Sequence, residues 1–242
     1  IIMKLVTCII QARIGSSRLR GKVLKKIKGK EILSLLLNRL SRSKIIKEII
    51  IAIPNTKEND KLYLFLKKKK LKVFRGSENN VLKRYYMCAK KFSVKHILRV
   101  TSDCPLIDPK LIDKIGKIYS TNKYDYVSNV EKRSFPDGMD TEFFSFKTLE
   151  KAYLNAISDY DKEHVTKYIL RSDKFKKYNY TYNEDFTNFR ITLDRIEDFN
   201  LIKKIFHNFK NNNFTYEDIL DYYKKNKKIF LINKAQIEKY KF

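Results

Sequence analysis

One stretch predicts the fold of this chain: Leu5-Val-Thr-Cys-Ile-Ile-Gln-Ala-Arg-Ile-Gly-Ser-Ser-Arg-Leu-Arg-Gly-Lys22. Its first part, Leu5–Ile10, is a short apolar run rich in β-branched residues, which is typical of a strand buried on both faces of a sheet. The run ends at Gln11, and a loop follows that mixes small residues with cations: Gly15, Ser16, Ser17 and Gly21 with Arg13, Arg18, Arg20 and Lys22. Small residues let backbone N–H groups approach a ligand, and cations neutralise a polyanion, so the loop predicts a triphosphate site.

Two familiar phosphate-binding loops are excluded by their spacing. A Walker loop has four residues between its glycines and a Ser or Thr after the Lys, whereas five residues separate Gly15 from Gly21 here and Val23 follows Lys22. The dinucleotide fingerprint G-x-G-x-x-G is also missing from the sequence. A solvated basic turn between a strand and a helix is the alternative interpretation of this loop.

The length and the cysteine content of the chain limit the classes of protein to which it can belong. A chain of 242 residues is long enough for one substantial α/β domain. The three cysteines, Cys8, Cys88 and Cys104, are scattered and form no C-x-x-C pair, which predicts a reduced, cytoplasmic protein without structural zinc. The sequence shows no signal-like amino terminus and no apolar run of about 18 residues, so it predicts neither export nor membrane insertion.

The formal net charge of +26 raises nucleic acid as a partner. Most of the excess is Lys, spread from Lys4 to Lys241, and it accompanies abundant Ile, Asn, Tyr and Phe with no Trp. AT-rich codons impose that composition whatever the function, and no RNA- or DNA-binding motif is found in the sequence. The charge is therefore interpreted as codon bias, and a basic nucleic-acid-binding protein is kept as the alternative of another class.

Strand and helix patterns alternate along the first half of the chain. Hydrophobic periodicity predicts strands at 45–53, 71–74 and 96–101 and helices at 32–40, 62–70, about 81–92 and 110–119. This order predicts an α/β fold with a mostly parallel sheet, helices on both faces and ligands at the carboxyl ends of the strands. We expect a single domain over 1–242, with a hairpin excursion at about 125–150 for an acceptor pocket or subunit contact and a helical cover at about 211–242.

Polar residues follow several of the predicted strands. Gly76 and Ser77 can bring backbone groups to a base or ribose, and Arg84 lies in the helix that follows, although ordinary helix capping explains this segment equally well. Asp103 follows the strand at 96–101, and Asp194 ends a strand-like run at 189–194. Two strands that end in carboxylates can close on one divalent cation over a triphosphate.

A second acidic pattern, Asp159 and Asp161, spells the D-x-D motif of many sugar transferases. The pattern lies at a polar helix entry and no predicted strand precedes it. It is therefore not interpreted as a metal site.

Six motifs together carry a family resemblance, and they occur in this order: Ile10-Gln-Ala-Arg-Ile-Gly-Ser-Ser-Arg-Leu-Arg-Gly-Lys22, Phe74-Arg-Gly-Ser77, Arg99-Val-Thr-Ser-Asp-Cys-Pro-Leu-Ile-Asp108, Pro136-Asp-Gly-Met-Asp140, Glu163-His-Val-Thr166 and Thr192-Leu-Asp194. From Ile9 to about Ile205 the chain resembles the SpsF family of spore-coat polysaccharide cytidylyltransferase-like proteins. That family is similar to the CMP-sugar synthetases for acylneuraminate and 3-deoxy-manno-octulosonate. The chain departs from the usual family pattern at Arg20, where Pro is common, and at Ser17, where Thr is usual.

The resemblance implies a cytidylyltransferase with a Rossmann-like nucleotidyltransferase fold that acts as a homodimer. It would transfer CMP from CTP to a sugar acid, sugar phosphate or polyol phosphate, release pyrophosphate and use Mg²⁺. The implied catalytic residues are Arg13, Lys22 and Asp103, and the implied metal ligands are Asp103 and Asp194. The implied nucleotide-binding set is Gln11, Ala12, Arg13, Gly15, Ser17, Arg18, Lys22, Gly76, Ser77 and Arg84, and the implied acceptor-facing set is Asp140, Glu142, Glu163 and His164.

Three alternatives to this function stay open at the level of sequence. One is a nucleotidyltransferase that uses another triphosphate, or a GT-A-type glycosyltransferase, which would release no pyrophosphate from a free triphosphate. Another is the nucleic-acid-binding protein named above, and the last is a catalytically silent relative that only binds nucleotide.

Overall fold

The fold is built around one large sheet, as a computed structural model of residues 3–238 shows. The strands are β1 (Val6–Gln11), β2 (Lys26–Ile27), β3 (Lys30–Glu31), β4 (Ile46–Pro54), β5 (Lys72–Gly76), β6 (His96–Thr101), β7 (Tyr126–Ser128), β8 (Glu142–Ser145) and β9 (Lys177–Asn179). The helices are α1 (Ile32–Leu40), α2 (Asp60–Lys68), α3 (Val81–Lys91), α4 (Pro109–Tyr119), α5 (Phe146–Asn155), α6 (Asp159–His164), α7 (Lys167–Arg171), α8 (Ile196–Asn208), α9 (Tyr216–Lys225) and α10 (Lys234–Glu238).

Within the described residues the large sheet has seven strands in the order β5-β4-β1-β6-β8-β7-β9. Strands β5, β4, β1 and β6 run parallel, β8 pairs antiparallel with both β6 and β7, and β9 is parallel to β7. The strands β2 and β3 form a separate small antiparallel pair. The α/β fold with a mostly parallel sheet is therefore confirmed. The small two-stranded sheet lies at 26–31, and not in the segment 125–150 where the sequence predicted a β excursion.

Helices cover both faces of the sheet because the residues of its central strands alternate between two buried cores. Cys8 and Ile10 of β1 face a core that includes residues of α1, α4, α8 and α9. Ile9 of the same strand faces a second core with residues of α3, α5 and α7. A strand that is buried on both faces has the near-continuous apolar sequence that Leu5–Ile10 shows.

The segment 125–150 contributes β7 and β8 to the large sheet. The residue pairs Tyr126–Phe144 and Ser128–Glu142 fix the antiparallel register of these two strands, and β8 also pairs with β6. The loop between them carries Gly138 at φ 113, where a Cβ atom would lie 2.7 Å from the backbone of Ile191. The expected role of this segment in an acceptor pocket or subunit contact remains a prediction.

The run at 189–194 does not form the strand that its sequence pattern predicts. It is an extended segment with an isolated bridge between Asp137 and Arg190, and the Ile191 N–H donates to the Asp137 carbonyl at 2.7 Å. Further along, the Leu193 N–H donates to the Asp103 carbonyl at 2.7 Å. The run thus pairs with two loops instead of a strand, and this brings its end beside Asp103.

Two further observations concern the class of protein. Cys8, Cys88 and Cys104 are buried free thiols. Among residues 3–238, no helix has both the length and the apolar character needed to cross a bilayer.

Candidate active site

A cleft of about 790 Å³ opens at the carboxyl ends of β1 and β6. The chain moves outward from β1 to β4 and β5 and then returns to the other side of β1 as β6, so the cleft lies where the strand order reverses. Ligands of open α/β sheets bind at such a switch point. Of the residues with an expected role, those that line the cleft are Gln11, Ala12, Arg13, Arg18, Lys22, Ser77, Arg84, Asp103, Glu163, His164 and Asp194.

The side chain of Lys22 connects distant parts of the cleft wall. Its Nζ donates to Asp103 Oδ2 at 3.2 Å, to Asp194 Oδ1 at 2.8 Å and to the Leu193 carbonyl at 2.6 Å. Burial of this ammonium lowers its pKa, but the charges of the two carboxylates outweigh burial, and the pKa of Lys22 is raised. The ammonium therefore stays charged at neutral pH and holds the two predicted metal ligands together.

Asp194 lies at the centre of this cluster of charges. Arg18 Nη2 contacts its Oδ1 at 3.2 Å, and Arg190 Nη2 donates to its Oδ2 at 3.1 Å. Burial raises the pKa of Asp194, yet Lys22, Arg18 and Arg190 together lower it overall. Asp194 is thus a carboxylate at neutral pH, and two of the cations around it, Lys22 and Arg18, also line the cleft.

The rest of the basic loop divides into residues that face the cleft and residues that do not. Arg13, Ser16 and Arg18 line it, whereas Ser17 does not. Arg20 forms an ion pair with Glu58 at 2.8 Å, and its side chain is 77% exposed. Gly15 also lies outside the cleft wall, where a Cβ atom would meet the Glu58 carboxylate at 2.3 Å. The Arg that stands where the family usually has Pro is therefore directed to Glu58 and away from the cleft.

The turn after β5 forms another part of the wall. Gly76 itself does not line the cleft, but it leaves space for two side chains, since a Cβ atom here would lie 2.6 Å from the Phe74 ring and 3.1 Å from Arg84 Cγ. The buried Arg84 guanidinium donates to the carbonyls of Ser77 and Glu78. Asn80 caps α3 by accepting from the Lys83 N–H at 2.7 Å. Arg84 therefore holds the turn through its backbone carbonyls, and both Arg84 and Ser77 line the cleft.

A second, smaller cavity of about 240 Å³ adjoins the cleft and shares Arg99, Thr101 and His164 with it. The remaining acceptor-facing candidates, Asp140 and Glu142, line this cavity. Arg133 holds the Asp140 carboxylate through two hydrogen bonds of 2.7 Å. The structure thus divides the expected acceptor residues: Glu163 lines the cleft with the basic loop, Asp140 and Glu142 line the adjoining cavity, and His164 lines both.

His164 lies in the wall common to the two cavities because of an unusual turn. Val165 adopts φ 59 and ψ −57, and the Thr166 N–H donates to the His164 carbonyl at 2.6 Å. This is a γ-turn with positive φ, a rare and strained conformation, and more so for a β-branched residue. Burial lowers the pKa of His164, Glu163 opposes that shift, and Lys167 and Arg99 add to it, so the imidazole is neutral at pH 7.

Several residues of the cleft wall carried no role in the sequence analysis: Glu78, Arg99, Thr101, Ser102, Asp159 and Lys162. Asp159 reaches the cleft although its D-x-D pattern was not interpreted as a site, while Asp161 is buried in an ion pair with Arg171. Arg99 had a readable signal, since a charged residue inside the apolar run of β6 needs a partner or a function. Of the others, Thr101 ends β6, Asp159 and Lys162 lie in α6, and Glu78 and Ser102 lie in loops. Their approach to the cleft depends on the tertiary fold, which sequence periodicity does not describe.

Comparison with known proteins gives a consistent family. A sequence profile described as "Cytidylyltransferase" matches residues 7–237. The spore coat polysaccharide biosynthesis protein SpsF of Bacillus subtilis strain 168 is 30% identical over 208 residues, which cover 82% of this chain and 85% of that protein.

Solved structures share the fold. A cytidylyltransferase from Leptospira borgpetersenii matches with a TM-score of 0.88 and 34% identity, over 94% of this chain and 97% of that one. A CMP:2-keto-3-deoxy-manno-octonic acid synthetase, solved in complex with CTP, matches with a TM-score of 0.65 over 85% of this chain and 99% of that one. At 14% identity, the second likeness concerns the fold alone.

Proposed function

This chain belongs to the cytidylyltransferase family and is a nucleotidyltransferase, and from that premise we propose that it transfers CMP from CTP to a sugar acid, sugar phosphate or polyol phosphate. Pyrophosphate would be the second product, and the reaction would serve surface polysaccharide biosynthesis. The name of the Bacillus relative supports a role in polysaccharide biosynthesis, and the CTP complex of the structural neighbour supports CTP as the nucleotide substrate. A cytoplasmic location and a homodimer remain predictions of this proposal.

One observation carries the proposal: the cations of the basic loop face the same cleft as two converging carboxylates. Arg13, Arg18 and Lys22 line one wall, and Asp103 and Asp194 meet at the Lys22 ammonium. A triphosphate needs cations for its charge and a carboxylate pair for the metal ion that accompanies it. The cleft combines both at the switch point of the sheet.

The proposed reaction is an in-line displacement at phosphorus. An acceptor oxygen, either a phosphate oxyanion or a hydroxyl that gives up its proton to water, forms a bond to the α-phosphorus of CTP. The bond from that phosphorus to the bridging oxygen of the β-phosphate breaks, and pyrophosphate leaves with the electron pair. Phosphoryl transfer asks the protein mainly for positioning and for neutralisation of negative charge. Arg13, Arg18 and Lys22 would bind the phosphates and stabilise the charge that builds on the leaving group.

The residues fit the expected Mg²⁺. Asp103, Asp194 and the Leu193 carbonyl already surround a cation, the Lys22 ammonium, with hard oxygen atoms. No cluster of three or more His, Cys, Asp or Glu side chains suited to a metal exists among the described residues. Mg²⁺ is commonly held by one or two carboxylates together with substrate phosphates, which matches this pair. Asp103 and Asp194 would hold the ion, and when bound it would polarise the α-phosphate oxygens.

The smaller cavity is the proposed acceptor site, since it adjoins the cleft and its wall is polar. Thr101 and Thr166 offer hydroxyl groups, and Arg133 and Lys167 offer positive charge beside Asp140. Hydroxyls suit a polyol, and cations suit the acid or phosphate group of the proposed acceptors.

The proposal is tested by pyrophosphate release from CTP, UTP, ATP and GTP with a panel of sugar acids, sugar phosphates and polyol phosphates. We expect release with CTP and Mg²⁺ in the presence of one acceptor class. Asp103→Ala should abolish this Mg²⁺-dependent turnover, whereas Asp60→Ala, at an exposed carboxylate outside both cavities, should not.

Three results would contradict the proposal. Preference for another triphosphate would remove the assignment of CTP. Consumption of a nucleotide sugar without use of a free triphosphate would identify a glycosyltransferase. Activity of Asp103→Ala at the level of the unmodified protein would remove the metal assignment.

A further inference from the structure

The wall between the cleft and the smaller cavity contains an arginine to which the sequence analysis gave no role. Arg99, Thr101 and His164 line both cavities. If the cleft holds CTP and the smaller cavity holds the acceptor, as proposed above, the α-phosphate must lie at this wall, because it is the group that passes from one ligand to the other.

Arg99 of β6 is anchored by side chains of the two neighbouring strands, β1 and β8. It lies on β6 opposite Glu142 of β8, and its Nη1 donates to Glu142 Oε1. Its Nη2 donates to Gln11 Oε1 on β1 at 3.1 Å. A guanidinium has five N–H donors in a planar fork, so these bonds fix its plane and leave donors for a ligand. Its Nε is buried and has no hydrogen-bond partner within residues 3–238.

The Glu142 carboxylate is buried and pairs with Arg99. Its side chain is 4% exposed, one carboxylate oxygen accepts from Arg99, and the other accepts from the Tyr126 hydroxyl at 2.6 Å. Tyr126 is itself fully buried. Both oxygens of Glu142 therefore face other side chains, and its carboxylate acts on the cavity through Arg99.

A buried ion pair adds little to stability compared with apolar residues of the same size, so its presence in the centre of a sheet needs another explanation. Here the pair ends at the wall of two cavities, where the Arg99 side chain keeps 13% exposure. An oriented guanidinium in such a place is suited to a phosphate.

We propose that Arg99 is a catalytic residue that binds the α-phosphate of the nucleotide between the two cavities, and that Glu142 and Tyr126 are positioning residues that hold its guanidinium. The inference rests on the proposed function, because it assumes that a cytidine nucleotide occupies the cleft. Arg99 would remain hydrogen-bonded to this phosphate while the acceptor attacks the phosphorus and pyrophosphate leaves.

The test compares the binding of CMP with that of cytidine, because the two ligands differ only by the α-phosphate. The full chain is titrated with each ligand by calorimetry, and the ratio of the two dissociation constants is the readout. Arg99→Gln should lower the preference for CMP by roughly 10- to 100-fold, the usual range for a charged hydrogen bond. It should also lower kcat by roughly 100-fold or more with CTP and the acceptor that the release assay identifies. Arg99→Lys should recover part of both losses, since it keeps the charge and loses the fork.

Tyr126→Phe tests the positioning role with a change that keeps the ring. We expect a loss of a few-fold in the preference for CMP with unchanged binding of cytidine. Tyr119→Phe is the matched control, since its buried hydroxyl is hydrogen-bonded to His96 Nδ1 at 2.9 Å and lines neither cavity. It should leave the preference unchanged.

The outcomes separate this inference from the proposed function. If the unmodified protein does not prefer CMP to cytidine, the nucleotide site itself is wrong and the inference falls with it. If the unmodified protein prefers CMP and folded Arg99→Lys and Tyr126→Phe retain that preference in full, Arg99 is a structural ion pair and the inference is overturned. A lower unfolding temperature of Arg99→Gln, Arg99→Lys or Tyr126→Phe with an unchanged CMP preference leads to the same conclusion.

Discussion

At the scale of single residues, the main finding is that Lys22 fills the space between two carboxylates that are expected to bind Mg²⁺. The ammonium already contacts Asp103, Asp194 and the Leu193 carbonyl. Two cations cannot share these oxygens at close range without strong repulsion. Bound CTP supplies phosphates to which Lys22 can turn, so the nucleotide and Mg²⁺ are expected to enter together.

Replacement of Lys22 by Met should therefore change metal binding in the absence of nucleotide. We expect the free Lys22→Met protein to bind Mn²⁺, used as a spectroscopic substitute for Mg²⁺, at least about tenfold more tightly than the unmodified protein, because the competing charge is gone. Titration followed by electron paramagnetic resonance measures this affinity. Turnover with CTP should fall at the same time, since the phosphates lose a cation.

Arg20→Met is the control for this experiment. It removes a cation from the same loop, but Arg20 is exposed and paired with Glu58. Its Mn²⁺ affinity should equal that of the unmodified protein. Equal affinities for Lys22→Met and the unmodified protein would show that the ammonium does not exclude the metal.

At the scale of elements, the turn between α6 and α7 sets the position of His164. The backbone at Val165 has a positive φ that L-residues avoid, and its side chain is buried. Such strain costs on the order of 1–3 kcal/mol and persists where the surrounding structure imposes it. Packing of the buried side chain keeps Val165 at a position whose backbone angles are unfavourable for a β-branched residue.

Glycine should therefore be better tolerated than alanine at this position. Val165→Ala and Val165→Gly both lose the buried side chain, but Gly relieves the strain, so it should be about 1 kcal/mol more stable than Ala in urea unfolding. Val127, buried in β7, is the control position, where Gly should be the less stable of the two because of its greater chain entropy. The same order of stability at both positions would show that Val165 carries no strain.

Helices and strands that pack locally were predictable from the sequence. The helix at 32–40 and the strand at 96–101 occur with the predicted bounds, and Asp108 caps α4 as its place before Pro109 suggests. The prediction of a strand at 189–194 was wrong, because the residues that this run pairs with, such as Asp137, lie in loops and do not complete a ladder. Apolar periodicity reports burial, and this run is buried, but burial alone does not determine which backbone it pairs with.

The site was predictable only in part, because its key contacts join residues that are far apart in the sequence. Lys22 meets Asp103 and Asp194 through a long side chain, which no sequence spacing describes. Asp140 and Glu142, which the family resemblance places together at the acceptor, bind different arginines. The ends of the strands could be identified from the sequence, whereas the pairing of charges across the cleft could be seen only in the three-dimensional structure.

At the scale of the whole molecule, the net charge of +26 is not concentrated in the cleft. Acidic residues line it as well as basic ones: Glu78, Asp103, Asp159, Glu163 and Asp194. A groove for a nucleic acid strand is usually positive along its length. This mixed wall suits a small nucleotide with a metal ion better than it suits a polynucleotide.

Thermal unfolding with CTP and with a short RNA distinguishes the two kinds of ligand. At a concentration near one hundred times its dissociation constant, CTP with Mg²⁺ should stabilise the protein by about 2.7 kcal/mol, or ~5–10 °C for a chain of this size. Any shift caused by RNA should disappear between about 50 and 200 mM salt, since such binding depends on counterion release.

Arg13→Gln should reduce the CTP shift because Arg13 lines the cleft. Replacement of the exposed run Lys67–Lys70 by Gln should affect RNA alone, and loss of the CTP shift in that variant would mean that the surface charge, and not the cleft, binds the nucleotide.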